Sequence, residues 1–225
     1  RDSSRLKVGN AYEQMLGAAK SGSDHQLQFA RNFTSFASSA EHNDLIKELL
    51  DGKLSGLKVD ADLRWTFVIA LAERGLMDKA ALAAELLKDN TLTGSLSHAT
   101  ALAALPTAEA KSEVWKSITT EELSTSQREA KIAGFMRALH RPLLTAYVDP
   151  YFELLMETWG KKSYEVASKF VMGMYPTFIT TKETVDKTSN WLNTTGKDGQ
   201  DGLRRLVSEG RDALERALRV QAKDK

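Results

Sequence analysis

The sequence predicts an all-α fold, an irregular HEAT- or armadillo-like superhelix of stacked antiparallel helix pairs with about eleven helices. Among its 225 residues, leucine and alanine number 29 and 27, whereas valine and isoleucine number 10 and 5. Leucine and alanine favour helices, and the β-branched residues favour strands. Only four prolines occur, which suits long helices, and no credible pair of strands is found. Because no strict repeat period is visible, a compact helical bundle is the alternative arrangement.

The N-terminal segments are amphipathic and are separated by helix breakers. The first predicted helix has one apolar face, made of Val8, Ala11, Tyr12, Met15, Leu16 and Ala19. Ser23 with Gln26 predicts a capping box for the second helix, and Ser38 with Glu41 predicts the start of the third. Residues 60–75 are apolar almost all round. A helix of that kind is expected to be covered on more than one side.

The remaining helix starts are predicted from capping residues. They are Asp78, Ser97, Thr107, Ser124 or Ser126, Asp149 before Pro150, Ser163, and Thr180 with Glu183. The last helix carries an apolar stripe that includes Gly210. Because glycine in mid-helix costs roughly 1 kcal/mol relative to alanine, Gly210 indicates that another backbone passes close to this helix.

Composition excludes several classes of partner. Lysine and arginine number 31 and acidic residues 30, so the net charge is +1, and neither nucleic acid nor an acidic membrane is attracted by the chain as a whole. No apolar run approaches the ~18–20 residues of a membrane span, and no signal peptide opens the chain. The absence of cysteine excludes disulfides and Cys-type zinc sites and favours a reducing, cytoplasmic location.

The sequence contains no recognisable catalytic motif. None of the four histidines lies in an H-E-x-x-H motif or has a glutamate three residues before it, so the usual helical zinc and di-metal signatures are missing. A nucleophile elbow, a phosphate-binding loop and a dinucleotide fingerprint are also missing. On its own residues, the chain is predicted to hold no cofactor and to catalyse no reaction.

Two groups of charged residues leave alternatives open. Arg64 and Trp65 form a charged and aromatic pair inside an apolar helix, where the arginine is either buried and satisfied or directed into a cavity. A second group lies on or near one helix and consists of Arg128, Lys131, Arg137, His140 and Arg141. This group is either a solvated face or a patch that holds a carboxylate, which arginine binds through two hydrogen bonds.

Four stretches of the sequence together resemble a known family. They are LKVDADLRWT at 57–66, PTAEAKSEVW at 106–115, YVDPYF at 147–152 and GLRRLVSEGRDALERALR at 202–219. In this order they are similar to the C-terminal all-helical domain of aminopeptidase N-type zinc metallopeptidases, especially actinobacterial ones. The resemblance covers essentially the whole chain and is most specific around Asp62–Trp65.

The resemblance implies that residues 1–225 are a single helical-repeat domain and a fragment of a larger enzyme. In that family a separate domain carries the zinc ligands and removes the N-terminal residue of a peptide. The helical domain closes over the active site and shapes a chamber for peptides. The expected partners are therefore the catalytic and linking domains of the parent enzyme and the peptide substrate, with zinc held outside this chain.

Residues that would face such a chamber are predicted from their chemistry and position rather than from a family motif. They are Arg64, Trp65, Arg137 and His140. Two other functions remain as alternatives. An independent HEAT-like scaffold would need a large apolar groove for its protein partners. An all-helical enzyme with an unrecognised site would need a closed polar pocket containing several titratable groups with shifted pKa values.

Overall fold

A computed structural model describes residues 2–137, 139 and 141–223 of the chain. These residues form thirteen α-helices and no strand, so the predicted all-α class is confirmed. The helices exceed the predicted number partly because of a five-residue helix, Arg141–Thr145, which no capping or periodic signal marks. Contacts between Cα atoms divide the chain into two compact units, Arg1–Pro106 and Thr107–Lys225. A single domain over residues 1–225 stays a prediction.

Unit 1 contains six helices. They are α1 (Asp2–Ala18), α2 (Asp24–Phe36), α3 (Ala40–Leu50), α4 (Ala61–Glu73), α5 (Lys79–Lys88) and α6 (Leu92–Ala104). Helix α1 packs on α2, α5 packs on α6, and α4 contacts α2, α3 and α6. Helix α4 is the central element because most of its residues are buried, including Leu63, Phe67 and Leu71. The prediction that this segment is covered on several sides is confirmed.

The described residues of unit 2 form seven α-helices. They are α7 (Ala108–Thr120), α8 (Thr125–Phe135), α9 (Arg141–Thr145), α10 (Val148–Lys161), α11 (Tyr164–Gly173), α12 (Lys182–Asn193) and α13 (Asp201–Lys223). Helix α11 packs on α8, α10 and α13, and α12 packs on α13. The centre of the core is aromatic: the ring of Tyr151 lies 5.9 Å from those of Phe170 and Tyr175.

Gly210 lies against an aromatic ring rather than another backbone. A Cβ atom at this position would be 2.7 Å from Cδ2 and Cε2 of Tyr175. The Tyr175 hydroxyl is hydrogen-bonded to Thr188 Oγ1 at 2.9 Å, which holds the ring in place. The prediction of a close neighbour at Gly210 was therefore right, but this neighbour is the Tyr175 side chain and not the predicted backbone.

Capping side chains begin most helices, although some predicted starts are displaced. Ser23, Asp78, Thr107 and Ser163 act as N-caps as predicted, and Ser124 with Gln127 forms a capping box. Asp60, which was not predicted as a cap, is the N-cap of α4. The third helix is capped by Ser39 instead of Ser38, whose backbone N–H donates to His42 Nδ1 instead. Helix α12 is capped by Thr181 instead of Thr180, and α6 begins earlier than predicted, after Thr91. Helix α10 begins at Val148 without a side-chain cap, so the Asp149 prediction was wrong.

Basic side chains from other helices satisfy the carbonyl groups at several helix ends. Their acceptors are Ser35 O for Arg5, Thr34 O and Ala37 O for Arg74, Leu50 O for Arg64, Ile118 O and Glu121 O for Arg128, Gly134 O and Phe135 O for Lys111, and Leu192 O and Gly196 O for Arg204. The last carbonyls of a helix lack intrahelical donors and carry partial negative charge. Several basic side chains are therefore used inside each unit to join helices.

Candidate functional site

Arg64 lies at the centre of a charged cluster in unit 1. Its Nε and Nη2 atoms donate to the two carboxylate oxygens of Glu85 at 2.6 and 2.8 Å, and its Nη1 atom donates to Leu50 O at 3.3 Å. Lys88 Nζ donates to Glu85 Oε1 at 2.7 Å. The cluster joins α4 to α5 and to the end of α3. All three nitrogen atoms of the guanidinium are thus engaged, with 30% of the Arg64 side chain still exposed.

The electrostatics of this cluster favour the charged forms. The hydrogen bond to Glu85 is the main cause that raises the pKa of Arg64. Burial would by itself raise the pKa of Glu85, but the hydrogen bonds from Arg64 and Lys88 outweigh it, and the pKa lies below its ordinary value. A carboxylate held in this way is a poor general base, because it is already ionised and its lone pairs are occupied.

Trp65 belongs to a second polar cluster in unit 1. Its Nε1–H group donates to Asp89 Oδ2 at 2.8 Å, and the Thr91 hydroxyl donates to Asp89 Oδ1 at 2.8 Å. The ring of His98 lies edge-on to Trp65 at 6.4 Å, and burial lowers the pKa of His98. Trp65 is only 4% exposed. Its hydrogen bond to Asp89 joins α4 to the loop between α5 and α6.

The described members of the basic group near α8 do not share one exposed surface. Arg128 is buried and donates to main-chain carbonyls at the end of α7, and burial lowers its pKa. Lys131 donates to Ser117 Oγ. Arg128 is therefore neither part of a solvated face nor available to a carboxylate ligand, and nothing in its sequence context signals this.

The four predicted chamber residues occupy different settings. Arg64 and Trp65 are adjacent in unit 1, whereas Arg137 lies just beyond α8 in unit 2 and is half-buried. His140 lies outside the described residues. Their contact with a peptide stays a prediction.

Sequence reasoning missed two surface grooves. The first, of about 490 Å³, lies between α10 and α12 and is lined by residues that include Asp149, Glu153, Lys187 and Trp191. Lys187 Nζ donates to Asp149 Oδ1 at 2.7 Å, and this hydrogen bond is the main cause that raises the pKa of Lys187. These residues are far apart in sequence, so a recognisable short motif is not expected.

The second groove lies in unit 1, between α1 and the start of α3. It has a volume of about 640 Å³, and its lining includes Glu13, Glu41 and His42. His42 is 1% exposed, and its Nε2 atom lies 3.5 Å from Glu13 Oε2. The two amphipathic patterns predicted α1 and α3 separately, but neither indicated that an imidazole would connect them.

The described part of the chain contains no group of three or more His, Cys, Asp or Glu side chains that could hold a metal ion. Within the same residues, no helix is both long and apolar enough to cross a membrane. The polar contacts described above, such as those of Arg64 with Glu85 and of Lys187 with Asp149, connect neighbouring helices. They have the geometry of structural ion pairs.

Comparison with known proteins identifies the class to which this fold belongs. A model of the family described as ERAP1-like C-terminal domain matches residues 5–216, and the chain belongs to this family. Aminopeptidase N from Streptomyces lividans is 44% identical over 212 residues, which are 93% of this chain but 24% of that protein. The chain thus spans about a quarter of the length of this relative and corresponds to a C-terminal domain of an aminopeptidase. The resemblance noted in the sequence is confirmed.

Proposed function

We propose that the chain is the non-catalytic C-terminal domain of a cytoplasmic zinc aminopeptidase, in which it closes over the active site and shapes a chamber for peptides. The observation that carries the proposal is the match of residues 5–216 to a C-terminal domain family, combined with similarity to one quarter of an aminopeptidase. The described residues provide no metal-binding group, so the zinc that activates water belongs to another domain of the parent enzyme.

The hydrogen bonding inside each unit supports a role of the units as stable parts of a chamber wall. Arg64 and Glu85 are joined by two hydrogen bonds, and Arg74 and Arg204 hold helix ends to their neighbours. A wall of this kind can exclude folded proteins and position a peptide without supplying a reacting group. Positioning alone contributes to rate because it removes part of the entropy cost of reaction.

The proposal is tested by comparing the parent enzyme with a version that lacks residues 1–225. We expect the shortened enzyme to keep its zinc and its hydrolysis of a single aminoacyl chromogenic amide. We expect kcat/KM for a longer peptide to fall relative to that for the amide, because the chamber wall is missing. Adding the separate 225-residue chain should restore part of the difference. An unchanged ratio between the two substrates contradicts the chamber role.

The separate chain provides a second test. It should bind no stoichiometric zinc and should release no amino acid from an aminoacyl substrate. Either activity in the purified chain contradicts a non-catalytic role.

The predicted contact residues are tested in the intact parent enzyme. Arg137→Ala should raise KM for a longer peptide and leave hydrolysis of the aminoacyl amide unchanged. Arg219→Ala is the control, because Arg219 is an exposed cation on α13 and outside the predicted contact set. Equal effects of the two substitutions contradict a specific contact at Arg137.

A further inference from the structure

The groove between α10 and α12 is lined by one face of each helix. Its lining residues on α12 are Lys187, Asn190, Trp191 and Thr194, and those on α10 are Asp149, Phe152 and Glu153. Counted from the first member of each set, the positions recur at three and four residues, which is the spacing of a single helix face. The groove volume of about 490 Å³ lies within the roughly 300–1,000 Å³ of small-molecule sites. The groove is therefore large enough for a small organic ligand.

Trp191 forms the floor of this groove and carries an unsatisfied polar group. The residue is 5% exposed, and its Nε1–H group finds no acceptor among the described residues. A Cβ atom on Gly196 would lie 2.6 Å from Cη2 of the indole, so the six-membered ring is covered and the N–H group lies on the opposite side of the indole. Buried donors in native proteins nearly always have a partner. An unpaired donor at the floor of a groove therefore points to a ligand with an oxygen acceptor.

Two side chains of opposite charge lie at the rim of the groove. Glu153 on α10 is exposed and has no ion pair or hydrogen bond within the described part of the chain. Lys187 on α12 donates to Asp149 and is 37% exposed, and the nearest oxygen of Glu183 is 3.8 Å away, too far for a second hydrogen bond. Because an ammonium group has three donors, Lys187 can still bind a further oxygen. The rim thus offers a ligand one anion and one cation.

We propose that the groove between α10 and α12 binds a free α-amino acid. The α-ammonium group of the ligand donates to Glu153, and its carboxylate accepts from Lys187 Nζ and from the Trp191 N–H group. Because the Trp191 nitrogen is itself buried, the carboxylate reaches it when an exposed rim side chain such as Asn190 turns aside, a motion of picoseconds to nanoseconds. Phe152 and Trp191 provide an apolar floor, which favours an apolar amino acid such as leucine. If the proposed function holds, this ligand is a product of the parent enzyme, but the inference itself needs only unit 2.

Related ligands match the charges of the rim less well. A peptide carries an ammonium group on its first residue, but its carboxylate is at the far end, so that an uncharged carbonyl faces Lys187. An N-acylated amino acid has no cation for Glu153. Hydrogen bonds between charged groups are roughly twice as strong as those between neutral groups. The free amino acid is therefore favoured, because it carries both charges on one small molecule.

Nuclear magnetic resonance of the indole N–H groups tests the inference in the 225-residue chain. The chain has four tryptophans, and the signal of Trp191 is identified by its loss in Trp191→Phe. Added leucine should shift this signal in a saturable way and leave the other indole signals in place. Leucine amide, which lacks the carboxylate, and N-acetylleucine, which lacks the ammonium group, should each bind at least about tenfold more weakly.

A substitution at the rim tests the role of the free carboxylate. Glu153→Gln keeps the size of the side chain and removes its charge, so it should weaken leucine binding at least about tenfold. Glu157→Gln is the matched control one turn further along α10, because Glu157 pairs with Lys161 and does not line the groove. Both side chains are exposed, and circular dichroism shows whether each variant keeps its fold.

Three results would overturn the inference. The first is the absence of a saturable shift at Trp191, which would mean that water alone satisfies its N–H group. The second is equal affinity for leucine and leucine amide, because the groove would then recognise an amino terminus instead of a free amino acid. The third is an equal loss of binding in Glu153→Gln and Glu157→Gln, which would indicate a general effect of charge. None of these results bears on the proposed function, which is tested through the activity of the parent enzyme.

Discussion

The two units stabilise similar helical packing with different side chains. Among the described residues, the core of unit 2 buries seven aromatic side chains: Phe135, Tyr151, Phe152, Phe170, Tyr175, Phe178 and Trp191. Unit 1 buries three, Phe33, Phe67 and Trp65, mostly among leucines and alanines. Aromatic side chains fill large gaps between helices, whereas alanine allows helices to approach closely. The apolar cores of the two units are therefore built from side chains of different size.

The ion pairs of the two units differ in how far their carboxylates are buried. Unit 1 uses buried carboxylates, as in the contact of Arg64 with Glu85, whose side chain is 9% exposed. Ion pairs of unit 2 lie nearer to solvent: Asp149, the partner of Lys187, is 67% exposed. Exposed pairs are worth little because water and salt screen them. We therefore expect unit 1 to depend on ion pairs with buried carboxylates. Unit 2 buries cations, Lys111 and Arg128, that bind main-chain carbonyls, and we expect it to depend more on its aromatic core.

The largest expected effect comes from shortening an aromatic side chain in unit 2. Phe135 is 1% exposed and contacts the rings of Trp115 and Tyr147. Phe135→Ala should lower the free energy of unfolding of unit 2 by about 3–5 kcal/mol, because it removes apolar contacts and leaves a cavity. Hydrogen exchange of the α10 and α11 amides measures this loss. Tyr164→Ala is the control, since Tyr164 is 63% exposed, and an effect of Phe135→Ala below that of the control contradicts an aromatic core.

A smaller effect is expected from the buried charge of unit 1. Glu85→Gln should lower the free energy of unfolding by about 2 kcal/mol at neutral pH, because Arg64 loses its carboxylate partner. Glu157→Gln is the matched control, since it alters an exposed pair with Lys161 on one helix. Urea unfolding of the two variants measures the difference. Equal losses would remove the distinction between the units.

The same variant predicts a pH dependence with a definite sign. The pKa of Glu85 lies below the ordinary value of a glutamate, so its contribution to stability is complete above that ordinary value. The contribution disappears as the pH falls through the lowered pKa of the folded state, where the carboxylate becomes protonated. The stability difference between the wild type and Glu85→Gln should therefore shrink in acid. A difference that persists below that pKa contradicts a contribution from the charge.

The sequence predicted helices better than it predicted what their side chains contact. Asp78, Thr107 and Ser163 were found because a cap acts within one turn of its own helix. Arg128 and Glu85 could not be assigned, since their partners are ten and 21 residues away and only the packing of helices brings them together. Arg64 and Trp65 were singled out from the sequence, but their partners Glu85 and Asp89 were not predicted. Local signals thus locate elements, whereas charged contacts depend on tertiary structure.

The smallest expected change in the free energy of unfolding concerns Gly210 in unit 2, where side-chain packing opposes helix propensity. Gly210→Ala gains about 1 kcal/mol of helix propensity, but the new Cβ would lie 2.7 Å from the Tyr175 ring. Overpacking a core of this kind typically costs about 1–3 kcal/mol, so we expect a net destabilisation of about 1 kcal/mol. Gly160→Ala is the matched control on α10, where no atom lies within 4 Å of the added Cβ, and it should stabilise the protein slightly. Stabilisation of both variants in thermal unfolding would mean that the Tyr175 ring moves to make room for the new Cβ at little cost. The difference between the two units would then rest on their ion pairs alone.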